Sequence, residues 1–431
     1  IVFSMANYRE RLADRQLKDK LEGIGAVLIE GPKWCGKTTT AAQQARSVLY
    51  VDDPRNKKQN LETAEVDPAL LLAGDTPRLL DEWQLAPQLW DAVRFVVDQR
   101  GQDGQFILTG SAVPLEEDEK QKISHTGTGR IARMRMRPMT LWESGDSNGG
   151  VSLAALFGPD SKVASVSDLE LSDIAFLVCR GGWPRAVSQS RRVALGRAYD
   201  YYDAVVNTDI QRVDTVLRDP ERVKRLLRSY ARHQGAQVSL SAIAKDMAIH
   251  ENGTMDDRTV YSYIMALKKI FVVEDMVAWN PNLRSKTAIR TSDTRYFVDP
   301  SIAVAALGLG PSDLLADLNT FGLLFETLCV RDLRVYAEAM GGVLYHYRDQ
   351  SGLECDAVVH LRNGSYGLVE IKLGGDRLVE EGAKSLKTLA AKIDTDKMKA
   401  PSFLMVLTGT GQYAYRRQDG VCVVPIGSLR E

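Results

Sequence analysis

Hydrophobic residues in the first 140 positions come in short blocks separated by polar, helix-compatible stretches, a rhythm of strands alternating with helices. The apolar runs predict strands over 26–30, 47–52, 78–82, 105–110 and 131–136. Between the third and fourth runs, Leu89, Val93, Val96 and Val97 recur at helical spacing and predict an amphipathic helix from about Pro87 to Gln99. Such alternation implies a parallel sheet with covering helices. The charged, glycine-bearing interval Leu115 to Gly129 reads as a loop. After it Arg130, Arg133, Arg135 and Arg137 interleave with Ile131, Met134 and Met136, as on an edge strand with an arginine face.

Beyond a linker at Gly145 to Gly150 the pattern is helical to about residue 215. Helices are then expected over Glu221 to Gln234, over Leu240 to Met247, and from Asp257 with Val260, Ile264, Leu267 and Ile270 inward. Two short strands, 271–277 and 295–298, flank a loop holding Arg284, Lys286 and Arg290. Three helices followed by a strand pair resemble a winged helix, with Arg258, Thr259 and Ser262 outward on the third helix. Near the C-terminus Leu353, Cys355, Ala357 and Val359 alternate with polar residues, as do Val369, Ile371 and Leu373. For these odd positions to share one buried face, 357 must oppose 369. That register selects the three-residue loop Arg362-Asn363-Gly364, with Gly364 left-handed, and sets Asp356 opposite Glu370.

The chemistry concentrates at three places in the first domain. Gly31-Pro32-Lys33-Trp34-Cys35-Gly36-Lys37-Thr38 lies between the apolar run 26–29 and a helix-compatible stretch beginning at Thr39. Gly31 and Gly36 let backbone N–H groups curl around an anion, Lys37 reaches outer phosphates, and the Thr38 hydroxyl suits Mg²⁺. This predicts triphosphate binding. Asp81 and Glu82 end the third strand, where Asp81 would hold Mg²⁺ through water and Glu82 would polarise the attacking water. Thr109 and Ser111, at the polar end of the fourth strand, either sense the γ-phosphate or cap the next turn. The last 110 residues hold a second constellation: Glu326 on a helix, Asp356 on a strand, then Glu370 and Lys372 on the next. Carboxylates with one lysine in that order suit metal-assisted attack on a phosphodiester, with Glu326, Asp356 and Glu370 as ligands; a solvated charged strand face would look the same.

Composition narrows the class. The chain has 431 residues, 44% hydrophobic and 26% charged, enough for two or three soluble domains. No run approaches the length of a membrane span, the first residues lack a signal peptide's apolar core, and Met5 reads as a start residue, so a cytoplasmic protein is expected. Five scattered cysteines, without CxxC or Cys/His pairing, argue against disulfides and zinc. With 55 basic and 56 acidic residues, nucleic-acid contact would have to come from local patches.

From about Ala6 onward the chain resembles bacterial and archaeal AAA-superfamily ATP-binding proteins whose C-terminal domain looks like a PD-(D/E)xK nuclease fold. The likeness is carried by the 31–38 loop, Leu80-Asp81-Glu82-Trp83-Gln84, Leu108-Thr109-Gly110-Ser111, Gly181-Gly182-Trp183-Pro184 and Glu354-x-Asp356…Glu370-x-Lys372. It implies an α/β chain with a P-loop AAA-type domain over 1–144 and a helical lid over 151–219. A winged-helix-like region over 220–310 and a restriction-endonuclease-like domain over 315–431 would follow. It further implies ATP with Mg²⁺, and Arg130 as a finger completing a neighbouring subunit's site in a homo-oligomer. DNA is one candidate partner for the C-terminal part and another protein is the alternative.

Overall fold

The computed structural model describes residues 8–110, 127–159, 161–214, 216–248, 256–281 and 292–431; Ser111 and the loop residues Arg284, Lys286 and Arg290 lie outside them. The chain divides into two units, residues 1–138 with 209–216 and 269–271, and the remainder.

The first unit is a five-stranded sheet in the order β2-β3-β4-β1-β5, every neighbouring pair parallel. Its elements are α1 (Leu12–Leu21), β1 (Ala26–Glu30), α2 (Lys37–Gln44), β2 (Ser47–Tyr50), α3 (Lys57–Val66), β3 (Arg78–Asp81), α4 (Gln88–Arg100), β4 (Phe106–Gly110) and β5 (Ile131–Arg135). Helices cover both faces, which is why the central strands are apolar runs rather than alternating ones. Ala26, Leu28, Leu80, Phe106 and Leu108 point to one face, with Leu89, Trp90 and Val93 of α4. Val27, Ile29, Leu79 and Ile107 point to the other, with Leu17 of α1 and Ala41 of α2. β4 lies between β1 and β3, so the P-loop strand and the acidic strand are not neighbours.

The second unit begins with α5 (Leu141–Ser144), β6 (Val151–Ser152) and β7 (Ser165–Val166). The helices α6 (Leu171–Arg180), α7 (Pro184–Val187), α8 (Arg191–Ala204), α9 (Pro220–Arg232), α10 (Leu240–Ala248), α11 (Asp257–Lys269), α12 (Pro300–Leu307), α13 (Pro311–Ala316) and α14 (Leu318–Ala339) follow. After α11, Val273 and Met276 form antiparallel bridges with Phe297 and Thr294. The chain ends in β8 (Gly342–Arg348), β9 (Glu354–Leu361), β10 (Tyr366–Lys372), α15 (Asp376–Lys392), β11 (Phe403–Thr408), β12 (Tyr413–Arg416), β13 (Cys422–Pro425) and β14 (Leu429–Arg430). These build a seven-stranded sheet, β7-β12-β13-β11-β10-β9-β8. Residues 151–166 are therefore not part of a helical lid: β7 pairs with β12 and β6 with β14.

The Gly181-Gly182-Trp183 run is a junction within this unit. Side chains at 181 and 182 would collide with Asp299 and Ser301, and with the Met139 carbonyl. Asp299 accepts from the Gly182 N–H at 2.9 Å and from Arg331 at 2.9 Å. Arg331 also binds Asp332 at 2.7 Å, and Asp332 accepts from the Leu141 N–H at 2.9 Å. Burial of Asp332 raises its pKa to about 6 despite Arg331. Four distant segments are thus tied through one buried cation.

Candidate functional sites

The loop Gly31–Thr38 connects β1 to α2, so the free N–H groups of the helix N-terminus face it. Gly31 has no room for a side chain because the Met136 carbonyl lies against it, and Gly36 takes φ 102° just before the helix. Trp34, exposed, adopts φ 67°. Arg11 buttresses the loop from behind, donating to the carbonyls of Cys35 at 3.0 Å and Arg137 at 2.9 Å. Cys35 is buried, its thiol 3.7 Å from the Met136 carbonyl, a packing role. Lys37 folds onto the loop, donating to the carbonyls of Gly31 and Pro32 at 2.9 and 2.8 Å. Thr39 is partly buried on the first turn of α2.

Three residues from three elements meet on one oxygen. Thr38 donates to Oδ1 of Asp81 at 2.7 Å, and Thr109 donates to the same oxygen at 2.6 Å. Thr109 can do this because β4 is next to β3 and pairs 109 with 81. In this structure the Thr109 hydroxyl thus orients the acidic residue. A hydroxyl and a carboxylate are hard oxygen donors of the kind Mg²⁺ takes, so Thr38 and Asp81 fit that ion.

Glu82 follows with φ 56° and ψ 42°, a left-handed conformation uncommon outside glycine and asparagine. Its side chain accepts from Gln84 Nε2. Burial raises the carboxyl pKa, while Gln84, Lys37 and Lys33 favour the ionised form. Gln84 and Trp83 pack against Gly110, where a side chain would strike the Gln84 amide. The motif 80–84 was legible in sequence, but the part Gln84 plays in holding Glu82 was not. Lys33 pairs with Asp209 at 2.5 Å, a partner invisible at that separation in sequence.

Arg130 does not face its own phosphate loop. Parallel pairing sets Ile131 beside Ala26 and Arg135 beside Glu30, so Arg130 precedes the opposite ends of the strands, roughly 20 Å from where the loop begins. It binds Asp98 of α4 at 2.7 Å with about half its side chain exposed.

In the second unit the register of β9 and β10 pairs Ala357 with Val369 and Val359 with Gly367, as the apolar alternation requires. Leu361 closes on Ser365, and Gly364 has φ 81°. Past 357 the strands part and the Asp356 side chain takes over, accepting from the Ile371 N–H at 2.7 Å. Lys372 reaches Asp356 at 3.4 Å and Glu370 at 2.6 Å. Glu370 is not on a solvent face: α15 covers it, Ser385 donating to it at 3.3 Å, and it is 4% exposed. Burial, then Asp356, pushes its pKa up to about 8. Burial opposes the Lys372 charge, but Asp356 and Glu370 more than offset it. Glu326 is held by the Tyr296 hydroxyl, and burial followed by Asp356 raises its pKa to about 8.

Asp356, Glu370 and Lys372 thus come together, with Glu326 electrostatically coupled to them. Among the described residues no three His, Cys, Asp or Glu side chains converge as a metal-ligating group. The expected ligand set Glu326, Asp356 and Glu370 is not assembled, because Lys372 ties two of these carboxylates and Tyr296 holds the third.

Comparison with known proteins places family matches on each part of the chain. Residues 24–144 match the AAA domain, residues 171–313 a domain of unknown function (DUF8612), and residues 321–429 another (DUF4143). Over 423 residues the chain is 23% identical to uncharacterized proteins of Mycobacterium bovis and Mycobacterium tuberculosis, covering 97% of this chain and 84% of each relative. It is also similar to the Walker-type ATPase of Pyrococcus abyssi, at 14% identity and a TM-score of 0.44 over 70% of this chain and 97% of that one. A likeness to the ADP form of the Aeropyrum pernix ORC2 protein has 11% identity and a TM-score of 0.30 over 75% and 97%. The AAA match thus takes in most of the first unit, from β1 to β5. No helix among the described residues is long and apolar enough to cross a membrane.

Proposed function

We propose that the protein is a Mg²⁺-dependent ATP hydrolase whose nucleotide state controls the activity of the second unit. The observation that carries this is the meeting of Thr38, Asp81 and Thr109 at one oxygen, beside a lysine-bearing phosphate loop. Loop N–H groups and Lys37 bind the phosphates, and Thr38 and Asp81 would hold Mg²⁺, which when bound neutralises charge on the outer phosphates. Glu82, oriented by Gln84, accepts a proton from the attacking water; its raised pKa makes it a better base than an exposed glutamate. Lys37→Ala should abolish nucleotide binding, whereas Glu82→Gln should bind ATP and lose turnover by on the order of 10² or more. Equal turnover in Glu82→Gln and the parent would refute the assignment.

For the second unit the reading is DNA-directed control of a nuclease-like domain. It is supported by three helices followed by two isolated antiparallel bridges, with Arg258 and Tyr261 exposed on α11. The second reading is an ATP-gated switch that engages a protein partner through an inactive nuclease-like domain. The ties from Lys372 to Asp356 and Glu370 favour inactivity. ATP turnover measured with and without duplex and single-stranded DNA separates the two: stimulation supports the first, indifference the second.

A further inference from the structure

The phosphate loop carries a second lysine, and its partner comes from far along the chain. The Lys33 ammonium is 2.5 Å from Oδ1 of Asp209, a residue 176 positions away. The Asp209 carboxylate is 9% exposed and the Lys33 side chain 38%, so the acid is enclosed and the lysine has room to move. Asp209 ends a five-residue π-helical turn, Val205–Asp209, where the chain re-enters the first unit. Single π-helical turns, bonded i→i+5, are rare and recur at functional sites. The Lys33 charge also stabilises ionised Glu82, as the Lys37 charge does, so it lies within electrostatic range of the hydrolytic end of the site.

We propose that Asp209 is a displaceable counter-ion of the phosphate loop: it holds Lys33 until the outer phosphates of bound ATP take the lysine over, which ties segment 209–216 to nucleotide state. This rests on the loop binding ATP. A triphosphate brought beside Lys33 competes directly with the carboxylate for the same three donors and repels it. Once Lys33 turns away, Asp209 is an enclosed charge without its cation, a strongly unfavourable condition relieved by letting the segment open to water. ATP therefore loosens 209–216.

The test uses the full-length protein, Mg²⁺, and fluorescent N-methylanthraniloyl derivatives of ATP and ADP. Asp209→Asn should tighten the triphosphate roughly tenfold, and the diphosphate less, because a repelling charge is gone and Lys33 is free. Lys33→Gln in the Asp209→Asn background should cancel that gain. In the parent, ATP should speed amide hydrogen exchange across 205–216, and in Lys33→Gln exchange there should be fast with or without ATP. A bridge that only props the fold predicts the opposite signs: weaker ATP binding in Asp209→Asn and slower exchange on ATP addition, and either overturns the proposal. If Asp209→Asn does not fold, the exchange comparison of parent and Lys33→Gln decides alone. A parent that binds neither probe sinks the ATP reading as well, whereas a binding parent with an unchanged Asp209→Asn sinks the counter-ion alone.

Discussion

Thr109→Val removes one hydroxyl from the ATP site while keeping the size of the side chain. The residue is 1% exposed in the central strand β4, and its hydroxyl shares Oδ1 of Asp81 with Thr38. A hydrogen bond to a charged acceptor contributes about 1.5–3 kcal/mol, which corresponds to roughly 10- to 150-fold in an equilibrium or rate. Without it the Asp81 carboxylate is free to rotate away from Thr38, and the oxygen pair that would hold Mg²⁺ is no longer set. The half-saturating Mg²⁺ concentration for ATP turnover should therefore rise by about that factor, with kcat recovering at high Mg²⁺. Nucleotide binding measured in chelator should match the parent, and Thr109→Ser, which keeps the hydroxyl, should restore the Mg²⁺ curve. Phosphate release across a Mg²⁺ titration gives the answer. A curve that overlays the parent's with kcat tenfold lower would place the hydroxyl on the attacking water instead, and no change at all would leave it without a role.

Mixing Arg130→Ala with Lys37→Ala protein should restore some turnover if Arg130 completes a neighbour's site; none recovered, in a preparation shown to exchange subunits, counts against sharing. Full-length protein with Mg²⁺ or Mn²⁺ should leave single- and double-stranded DNA intact, given how Lys372 engages Asp356 and Glu370. Cleavage that disappears in Asp356→Ala or Lys372→Ala, with ATP turnover unaffected, would reverse that reading. Arg331→Leu should cost about 3–5 kcal/mol at pH 8, because Asp299 and Asp332 are left enclosed without their cation. The Asp332 pKa, raised by burial to about 6, means the folded protein binds its proton more readily than the unfolded chain, so stability from this group falls as pH rises from about 4 to 6. Without Arg331 that pKa rises further, and the variant's deficit in thermal unfolding should shrink between pH 8 and pH 5; a deficit independent of pH would refute the linkage.

How much of this was legible follows from the range of the interactions involved. The five strands of the first unit, its phosphate loop and the 357–369 register are local: each is read from alternation, spacing and a glycine. Burial of Glu370 escaped because alternation names one buried face and cannot say that α15 covers the other. The bond from Thr109 to Asp81 was not legible, because it depends on which residue of the neighbouring strand stands level with 109. Asp209 and the Arg331 junction were beyond reach, since ion pairs across 176 positions leave no periodicity. Strands of two residues, such as β6 and β7, are too short for a hydrophobic pattern to mark.

The way β6, β7 and Trp279 complete the C-terminal strands bears on how this chain can be cut. β7 lines the outer edge of β12, β6 lies along β14, and Trp279 fits against Tyr347 and Tyr366 in the sheet's core. A fragment starting near residue 315 would carry the strands of the family-matched segment but bare the outer edge of β12, leave β14 unpaired and leave the indole's place empty. Open edges of that kind recruit other chains. Nor would a cut at 138–139 part the two units cleanly, because 209–216 and 269–271 belong to the first. In recombination, too, the C-terminal module could not travel by itself: it would have to move together with the earlier segments that supply β6, β7 and Trp279.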